Sequence, residues 1–182
     1  MPTSPSRPNR RDGAEKPPTF TAFAIRLLAY LFAVSLFFSL GELHLRMGPL
    51  QRGIAATVTA GGNALGAQAT RNGTVIRLEQ TALDINHECT GIFVLLVYAT
   101  FVFAYPAPWR ERFYGVSLGI VVLMAINVAR LIALVVIASR SPGWFAYFHE
   151  YFFQGLFIAL LAFLASMWTE QVRRATLRRV SA

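Results

Sequence analysis

The chain has 182 residues, 55% of them hydrophobic, and a formal net charge of +8. A soluble domain is usually about 45–50% apolar; here the excess forms long runs flanked by arginines, which indicates a membrane protein and argues against a nucleic-acid binder. The single cysteine, Cys89, excludes an internal disulfide framework and a CxxC redox pair.

Residues 1–19 are rich in proline, arginine and serine and have little to bury, so we predict a disordered basic tail. Residues 20–40 form the first apolar run, about as long as the roughly 20 residues that cross a bilayer core. The run is long for the apolar part of a signal peptide, and no convincing cleavage site follows closely. We therefore predict a retained membrane helix.

The next segment is mixed in character. Residues 47–60 predict an amphipathic or surface helix. Beyond Gly61 and Gly62, Asn72-Gly73 is a turn signal flanked by β-prone residues, and apolar and charged residues alternate over 76–79. This pattern predicts a small β-hairpin on the membrane surface, leading towards Cys89.

Three further apolar runs follow, at residues 90–105, 114–138 and 151–168. The segments 106–113 and 139–150 are predicted to be short loops between them. The fold class predicted is an all-α integral membrane protein with about four transmembrane helices. A small extracytoplasmic segment containing the hairpin separates helices one and two. The predicted membrane domain spans residues 20–170, and a basic cytoplasmic tail spans 171–182.

Charge predicts the topology. An even number of crossings puts both termini on one side, and that side would carry the basic residues of the N-terminal tail, of the 106–113 loop and of the C-terminal tail. On the opposite side, arginines are partly offset by acidic residues. Since positive loops stay in the cytoplasm, both termini are predicted to be cytoplasmic and the hairpin extracytoplasmic.

This topology brings three chemically distinctive residues to one membrane level. Cys89 would lie at the outer mouth of helix two and His149 at that of helix four. Arg130 would lie about eight residues, or roughly 12 Å, below the outer end of helix three. A thiol nucleophile, a proton-shuttling imidazole and a permanent cation that stabilises a thiolate or an oxyanion form a set suited to acyl transfer.

Each of these residues also has a simpler interpretation. A lone membrane cysteine is commonly a small inert hydrophobe, and a histidine beside aromatic residues is commonly an interface residue. Arg130 could pair with Glu150 or with a backbone carbonyl. However, a charge within a membrane helix costs at least about 2.5–3.5 kcal/mol on insertion scales, which makes Arg130 a functional candidate by default.

Supporting roles are weaker predictions. Asn127 lies one helical turn before Arg130, on the same face, and could orient Arg130 or bind substrate. His44, Asp84 and His87 could in principle join Cys89 around a metal, but their spacing matches no common zinc signature. We therefore predict neither a metal nor a cofactor.

The residues Cys89-Thr90-Gly91-Ile92, then Asn127-x-x-Arg130, then His149, resemble the exosortase/archaeosortase family of multi-pass membrane cysteine transpeptidases. The resemblance covers roughly residues 61–168. It implies catalytic roles for Cys89, Arg130 and His149, with Asn127 and Thr90 supporting them or binding substrate. At Thr90 the family more often has serine, but the hydroxyl is kept. The small size resembles a short exosortase of the H type.

The resemblance also implies a function and a location. The substrates would be exported proteins with a C-terminal recognition motif, a membrane helix and a basic end. The enzyme would hold the cleaved substrate as a thioester on Cys89 and pass it to an acceptor. It would reside in a bacterial inner membrane, with its active site at the periplasmic face.

Two other classes of function remain open from the sequence. One is an interfacial cysteine protease that uses water as the acceptor. The other is a non-enzymatic membrane scaffold or small transporter, in which Arg130 binds an anion or another helix. The mass of the product separates the first from a transpeptidase, and the reactivity of Cys89 towards thiol reagents tests the second.

Overall fold

A computed structural model describes residues 20–39 and 48–180. The predicted disordered tail at residues 1–19 lies outside the described residues, and so does His44. The described part is mostly helical, which agrees in general terms with the predicted fold class.

Six helices make up most of the described chain. They are α1 (Phe20–Ser39), α2 (Gly48–Ala64), α3 (Ile92–Ala104), α4 (Trp109–Arg140), the single turn α5 (Phe145–Tyr147) and α6 (Phe153–Val180). The four predicted apolar runs correspond to α1, α3, α4 and α6. Two helical stretches, Trp109–Arg140 and Pro142–Arg178, are long and apolar enough to cross a membrane. Phe20–Leu36 and Ile92–Ala104 are apolar but shorter, so four crossings remain a prediction.

A three-stranded antiparallel sheet lies between α2 and α3. The strands β1 (Thr70–Asn72), β2 (Val75–Arg77) and β3 (Ala82–Asp84) are ordered β1-β2-β3. The predicted hairpin is confirmed as β1 and β2, which are joined through Gly73 at a φ of 63°. The third strand was not predicted as a strand, because its three residues become one only by pairing with β2.

Three predicted loops or boundaries were wrong, because helical structure extends into each of them. Helix α2 continues through Gly61 and Gly62 to Ala64, since these glycines let its backbone approach α4. A Cβ atom on Gly61 would lie 2.5 Å from Ile132, and one on Gly62 would lie 2.8 Å from Val135. Residues 109–113 are the first turns of α4, where the indole of Trp168 donates a 3.1 Å hydrogen bond to the Glu111 carbonyl.

The third wrong prediction is the loop at residues 139–150. The end of α4, a 3₁₀ turn at Pro142–Trp144, α5 and a π-helical turn at Phe148–Phe152 make almost all of this segment helical. Phe145 and Phe148 pack against the apolar cluster beneath them. At the other end of the last run, α6 continues to Val180, and Glu170 bonds Arg173 and Arg174 along it. The predicted tail 171–182 is therefore helical as far as residue 180.

Helices α1, α3, α4 and α6 meet at one end of the bundle in an aromatic group. Phe23 of α1 packs edge-on against Tyr105 of α3, which contacts Trp168 of α6. Gly115 and Gly119 of α4 allow this approach, because a Cβ atom there would collide with Trp168 and Tyr98 respectively. The ends that meet here are the start of α1, the end of α3, the start of α4 and the later half of α6.

The opposite end of the bundle contains the sheet and a second apolar cluster. Buried residues of α2, β2, β3 and α4 form this cluster, together with Cys89 and Phe153. Ile76 of β2 and Leu131 of α4 are both fully buried within it. The thiol thus lies where the sheet, α4 and the start of α6 converge.

Candidate active site

Cys89 lies in a 3₁₀ turn, Glu88–Thr90, between β3 and α3. The turn is closed by Asn86, whose side-chain oxygen accepts a 3.1 Å hydrogen bond from the Cys89 N–H. It ends at Gly91, which has a φ of 75° and begins α3. That left-handed conformation strains any residue with a Cβ atom, so the glycine is needed to redirect the chain from the turn into the helix.

Asn127 of α4 holds this turn against the helix bundle. Its side-chain amide donates a 2.8 Å hydrogen bond to the carbonyl oxygen of Cys89, and the side chain is 1% exposed. Gly91 passes close to it, because a Cβ atom there would lie 3.0 Å from the Asn127 amide. Asn127 therefore acts on the backbone of the cysteine and fixes its height along α4.

The hydroxyl of Thr90 has structural partners. It donates a 2.6 Å hydrogen bond to the His87 carbonyl, and it lies 3.4 Å from the Ile92 N–H, which donates to it. Thr90 is fully buried. These contacts favour the supporting role over substrate binding, since the hydroxyl stabilises the turn that carries the thiol.

Arg130 is the candidate cation of this region. It interacts electrostatically with Cys89, and its guanidinium lies over the ring of Phe157 at 5.1 Å. Its Nε atom is buried and has no hydrogen-bond partner among the described residues. This N–H is a donor that can still donate to an oxygen atom. The alternative partner Glu150 forms no ion pair with Arg130.

The Cys89 thiol is buried, and its Sγ lies 3.9 Å from the carbonyl oxygen of Asp84, which accepts from it. Burial raises the pKa of Cys89 above the ordinary thiol value, and Arg130 opposes this rise without overcoming it. The raised pKa favours the neutral thiol over the thiolate.

A pocket of about 580 Å³ opens beside Arg130. Polar groups of His87, Glu88 and Gln154 line it together with Arg130, and apolar side chains of α3 and α6 complete it. A smaller apolar cavity of about 190 Å³ adjoins it, sharing Phe93, Val94, Phe157 and Ile158 and extending to Val97 and Leu161. The two cavities form a groove between α3 and α6 that is polar at the Arg130 end and apolar beyond.

His149 lies in the π-helical turn before α6 and is half-buried. Its ring stacks on that of Phe145, with centroids 5.6 Å apart and planes at 19°. Phe145 packs against the cluster that contains Cys89. Among the described residues, His149 has no hydrogen bond to Cys89 or to Arg130. The structure therefore brings Cys89, Asn127 and Arg130 together and leaves His149 at the edge of the same region.

Metal binding receives no support from the described residues. No group of three or more histidine, cysteine, aspartate or glutamate side chains is close enough there to hold a metal. Asp84, one of the residues considered as a metal ligand, accepts a 2.9 Å hydrogen bond from the Thr74 hydroxyl through a side-chain oxygen.

Sequence reasoning missed three contributors to this region. Asn86 closes the cysteine turn, while His87 and Gln154 line the pocket with Arg130. The sequence suggests His87 only as a possible metal ligand and not as a pocket residue. Its signal was proximity to Cys89 in the sequence. Gln154 had a recognisable signal, since it is one of few polar residues in an apolar run.

The described chain is mostly helical, has two long apolar helices, and brings Cys89 and Arg130 into one region at one end of the bundle. A family model for transmembrane exosortases (Exosortase_EpsH) matches residues 17–169. The chain therefore belongs to the transmembrane exosortase family, as its motifs predicted. Comparison with curated proteins and with solved structures gave no significant match.

Proposed function

We propose that this exosortase is a cysteine transpeptidase that removes a C-terminal sorting signal from exported proteins. The observation that carries the proposal is that Arg130 lies within electrostatic range of Cys89, while the Asn127 bond to the cysteine backbone holds the cysteine turn against the same helix. In the family context, these are the nucleophile and a cation for the developing charge. Arg130 has a buried donor atom available for that purpose.

The proposed reaction has two half-steps. The thiol loses its proton to a base, and Sγ attacks the carbonyl carbon of the scissile peptide bond while Arg130 donates to the oxyanion. The C–N bond then breaks, the leaving amine gains a proton, and a thioester remains on Cys89. An acceptor bearing an amine or hydroxyl attacks the thioester, and the thiol is regenerated with its proton.

His149 and His87 are the two candidates for the proton transfers. His149 matches the family's histidine, and the π-helical turn that carries it lies above the Cys89 cluster. Single π-turns occur frequently at functional sites. His87 lines the Arg130 pocket. We propose His149 as the general acid–base group.

The groove between α3 and α6 suits the membrane helix of such a signal. Its apolar part is lined by Val97, Ile158 and Leu161, and it leads directly to the polar pocket at Arg130. A helix packed there would deliver the segment just above it to Cys89. The substrate class proposed is an exported protein with a recognition motif, a membrane helix and a basic end.

We propose that both termini are cytoplasmic and that the Cys89 end of the bundle faces the periplasm of a bacterial inner membrane. The basic start of α4 and the basic end of α6 support this orientation, because they lie together at the end of the bundle away from Cys89. Reporter fusions after Val180 and within residues 71–80 should report opposite compartments. A periplasmic signal from the C-terminal fusion would contradict the proposal.

The central test is co-expression with an exported protein that carries such a C-terminal signal. Wild-type enzyme should shorten the substrate, and Cys89→Ala and Cys89→Ser should abolish processing at normal membrane abundance, because no second thiol exists to substitute. Undiminished cleavage by Cys89→Ala would end the nucleophile assignment. Product mass decides the acceptor, since addition of water alone would indicate a protease. An intact substrate with every enzyme form would favour the scaffold or transporter.

A further inference from the structure

The outer edge of β3 has free backbone groups. In antiparallel pairing, successive residues direct their N–H and C=O groups alternately towards and away from the neighbouring strand. The Leu78 N–H donates to the Thr81 carbonyl, and the Ile85 N–H donates to the Thr74 carbonyl. Residues 81, 83 and 85 therefore face β2, whereas Ala82 and Asp84 direct their backbone groups outward.

The thiol lies on this same outward edge. Sγ of Cys89 contacts the Asp84 carbonyl oxygen, which is one of the outward groups. The Asn86 N–H also donates to this carbonyl, at 3.0 Å. The Ala82 carbonyl and the Asp84 N–H have no hydrogen-bond partner among the described residues. The open edge of the sheet thus ends at the nucleophile.

At the opposite edge of the sheet, just before β1, the outward backbone groups have hydrogen-bond partners. The outward groups of Ala69, just before β1, are both bonded by the side chain of Asn63: its oxygen accepts from the Ala69 N–H at 2.6 Å, and its amide donates to the Ala69 carbonyl at 2.9 Å. An unpaired strand edge attracts other chains, and proteins commonly cover or blunt such edges. In the described chain, β1 is capped at its start and β3 is left open beside Cys89.

We propose that the outer edge of β3 binds the extended segment of the substrate that precedes the scissile bond, as an added strand. The inference rests on the proposed function. A strand parallel to β3 would use the Ala82 carbonyl and the Asp84 N–H to bind one residue. The substrate residue two positions further on, about 6.6 Å along the added strand, would place its carbonyl group at the thiol. Backbone pairing supplies affinity with little dependence on side chains.

Proline substitutions test this edge, since proline removes an N–H and obstructs pairing but is tolerated on edge strands. Asp84→Pro should lower processing of the co-expressed substrate by roughly tenfold or more, because it removes the Asp84 N–H that the added strand would use. Ala82→Pro should lower processing as well, because its ring would obstruct the approach of the added strand. Arg71→Pro is the matched control, because it alters an outward group of β1 far from the thiol. It should process normally. Wild-type cleavage in the same assay tests the proposed function separately.

Membrane abundance and the rate of Cys89 labelling with a maleimide show whether the proline variants keep their fold. Disulfide trapping adds a second measurement. Ala82→Cys in a Cys89→Ser background, paired with single cysteines along the substrate, should cross-link at alternate positions before the cleavage site. Normal processing by well-folded Asp84→Pro and Ala82→Pro variants would overturn the proposal. Cross-links without alternation, or equal cross-linking to Arg71→Cys, would also overturn it.

Discussion

The side-chain amide of Asn127 donates a 2.8 Å hydrogen bond to the carbonyl oxygen of Cys89, 38 residues earlier in the chain. This bond links the long helix α4 to the short turn that carries the cysteine. Arg130 is one helical turn further along α4, so a single helix positions both the backbone of the cysteine and the cation beside its thiol. The geometry of the site therefore depends on how α4 meets that turn.

We expect Asn127→Ala to reduce substrate processing strongly. The substitution leaves the Cys89 carbonyl buried without a donor, at a cost of about 1–3 kcal/mol, and frees the turn to move relative to Arg130. Asn63→Ala is a matched control, because it also removes a bridging amide but does so at Ala69, away from the thiol. Equal processing by the two variants, normalised to enzyme level, would show that Asn127 does not organise the site.

Gly91→Ala should be more harmful than Gly73→Ala. Both glycines have a positive φ, 75° and 63°, and both substitutions incur about 1–2 kcal/mol of left-handed strain. Only at Gly91 would the new methyl group also approach a side chain, at 3.0 Å from the Asn127 amide; at Gly73 it meets nothing within 4 Å. Processing and thermal stability of the purified variants measure the difference, and matched losses would mean that strain alone matters.

Arg130→Lys should lose most activity at normal membrane abundance, and Arg130→Ala should be no better. Lysine keeps a charge but lacks the planar set of donors, and loss of one oxyanion donor typically costs about 10²–10³ in rate. Arg112→Lys is the control. Arg112 also has a buried Nε without a partner among the described residues and lies over a ring, that of Trp109 at 5.2 Å. It lies at the other end of the bundle and should tolerate lysine. Near-normal processing by Arg130→Lys would reduce Arg130 to a structural cation.

His149→Ala should slow turnover by about 10²–10⁴-fold and change its pH dependence, as expected for a general acid–base group. His87→Ala should alter substrate affinity more than the pH profile, because His87 lines the pocket without a proposed proton transfer. Steady-state rates across pH for both variants distinguish these roles. A wild-type profile for His149→Ala, with the profile altered in His87→Ala, would reassign the proton transfers to His87.

The thiol of the resting protein should react slowly with a maleimide near neutral pH. Burial raises the pKa of Cys89, so the thiolate fraction at a given pH is lower than for an exposed cysteine, and the labelling rate should keep rising beyond pH 9. Arg130→Ala removes the opposing cation and should slow labelling further. A labelling rate that reaches its plateau below pH 8 would contradict the structure.

The sequence by itself determined the membrane class, the family and the three candidate residues. Long apolar runs are a local property, and the motifs around Cys89, Arg130 and His149 are short and recognisable. It also predicted that Cys89 and Arg130 would approach each other, because alternating helices bring their outer ends to one level. The hairpin at Gly73 could also be predicted from the sequence, since a tight turn depends mainly on its own residues.

Only the tertiary structure decided which groups meet. The extension of α2 through Gly61 and Gly62 depends on a close approach to α4, and the third strand exists only through pairing with β2. Burial raises the pKa of Cys89, and the cluster in which the thiol is buried includes residues distant in sequence, such as Ile54, Leu131 and Phe153. The Asn127 bond to the Cys89 carbonyl likewise joins two segments whose relative height no local pattern records. Local preferences can define a helix or a turn, but burial and cross-chain hydrogen bonds depend on how those elements pack.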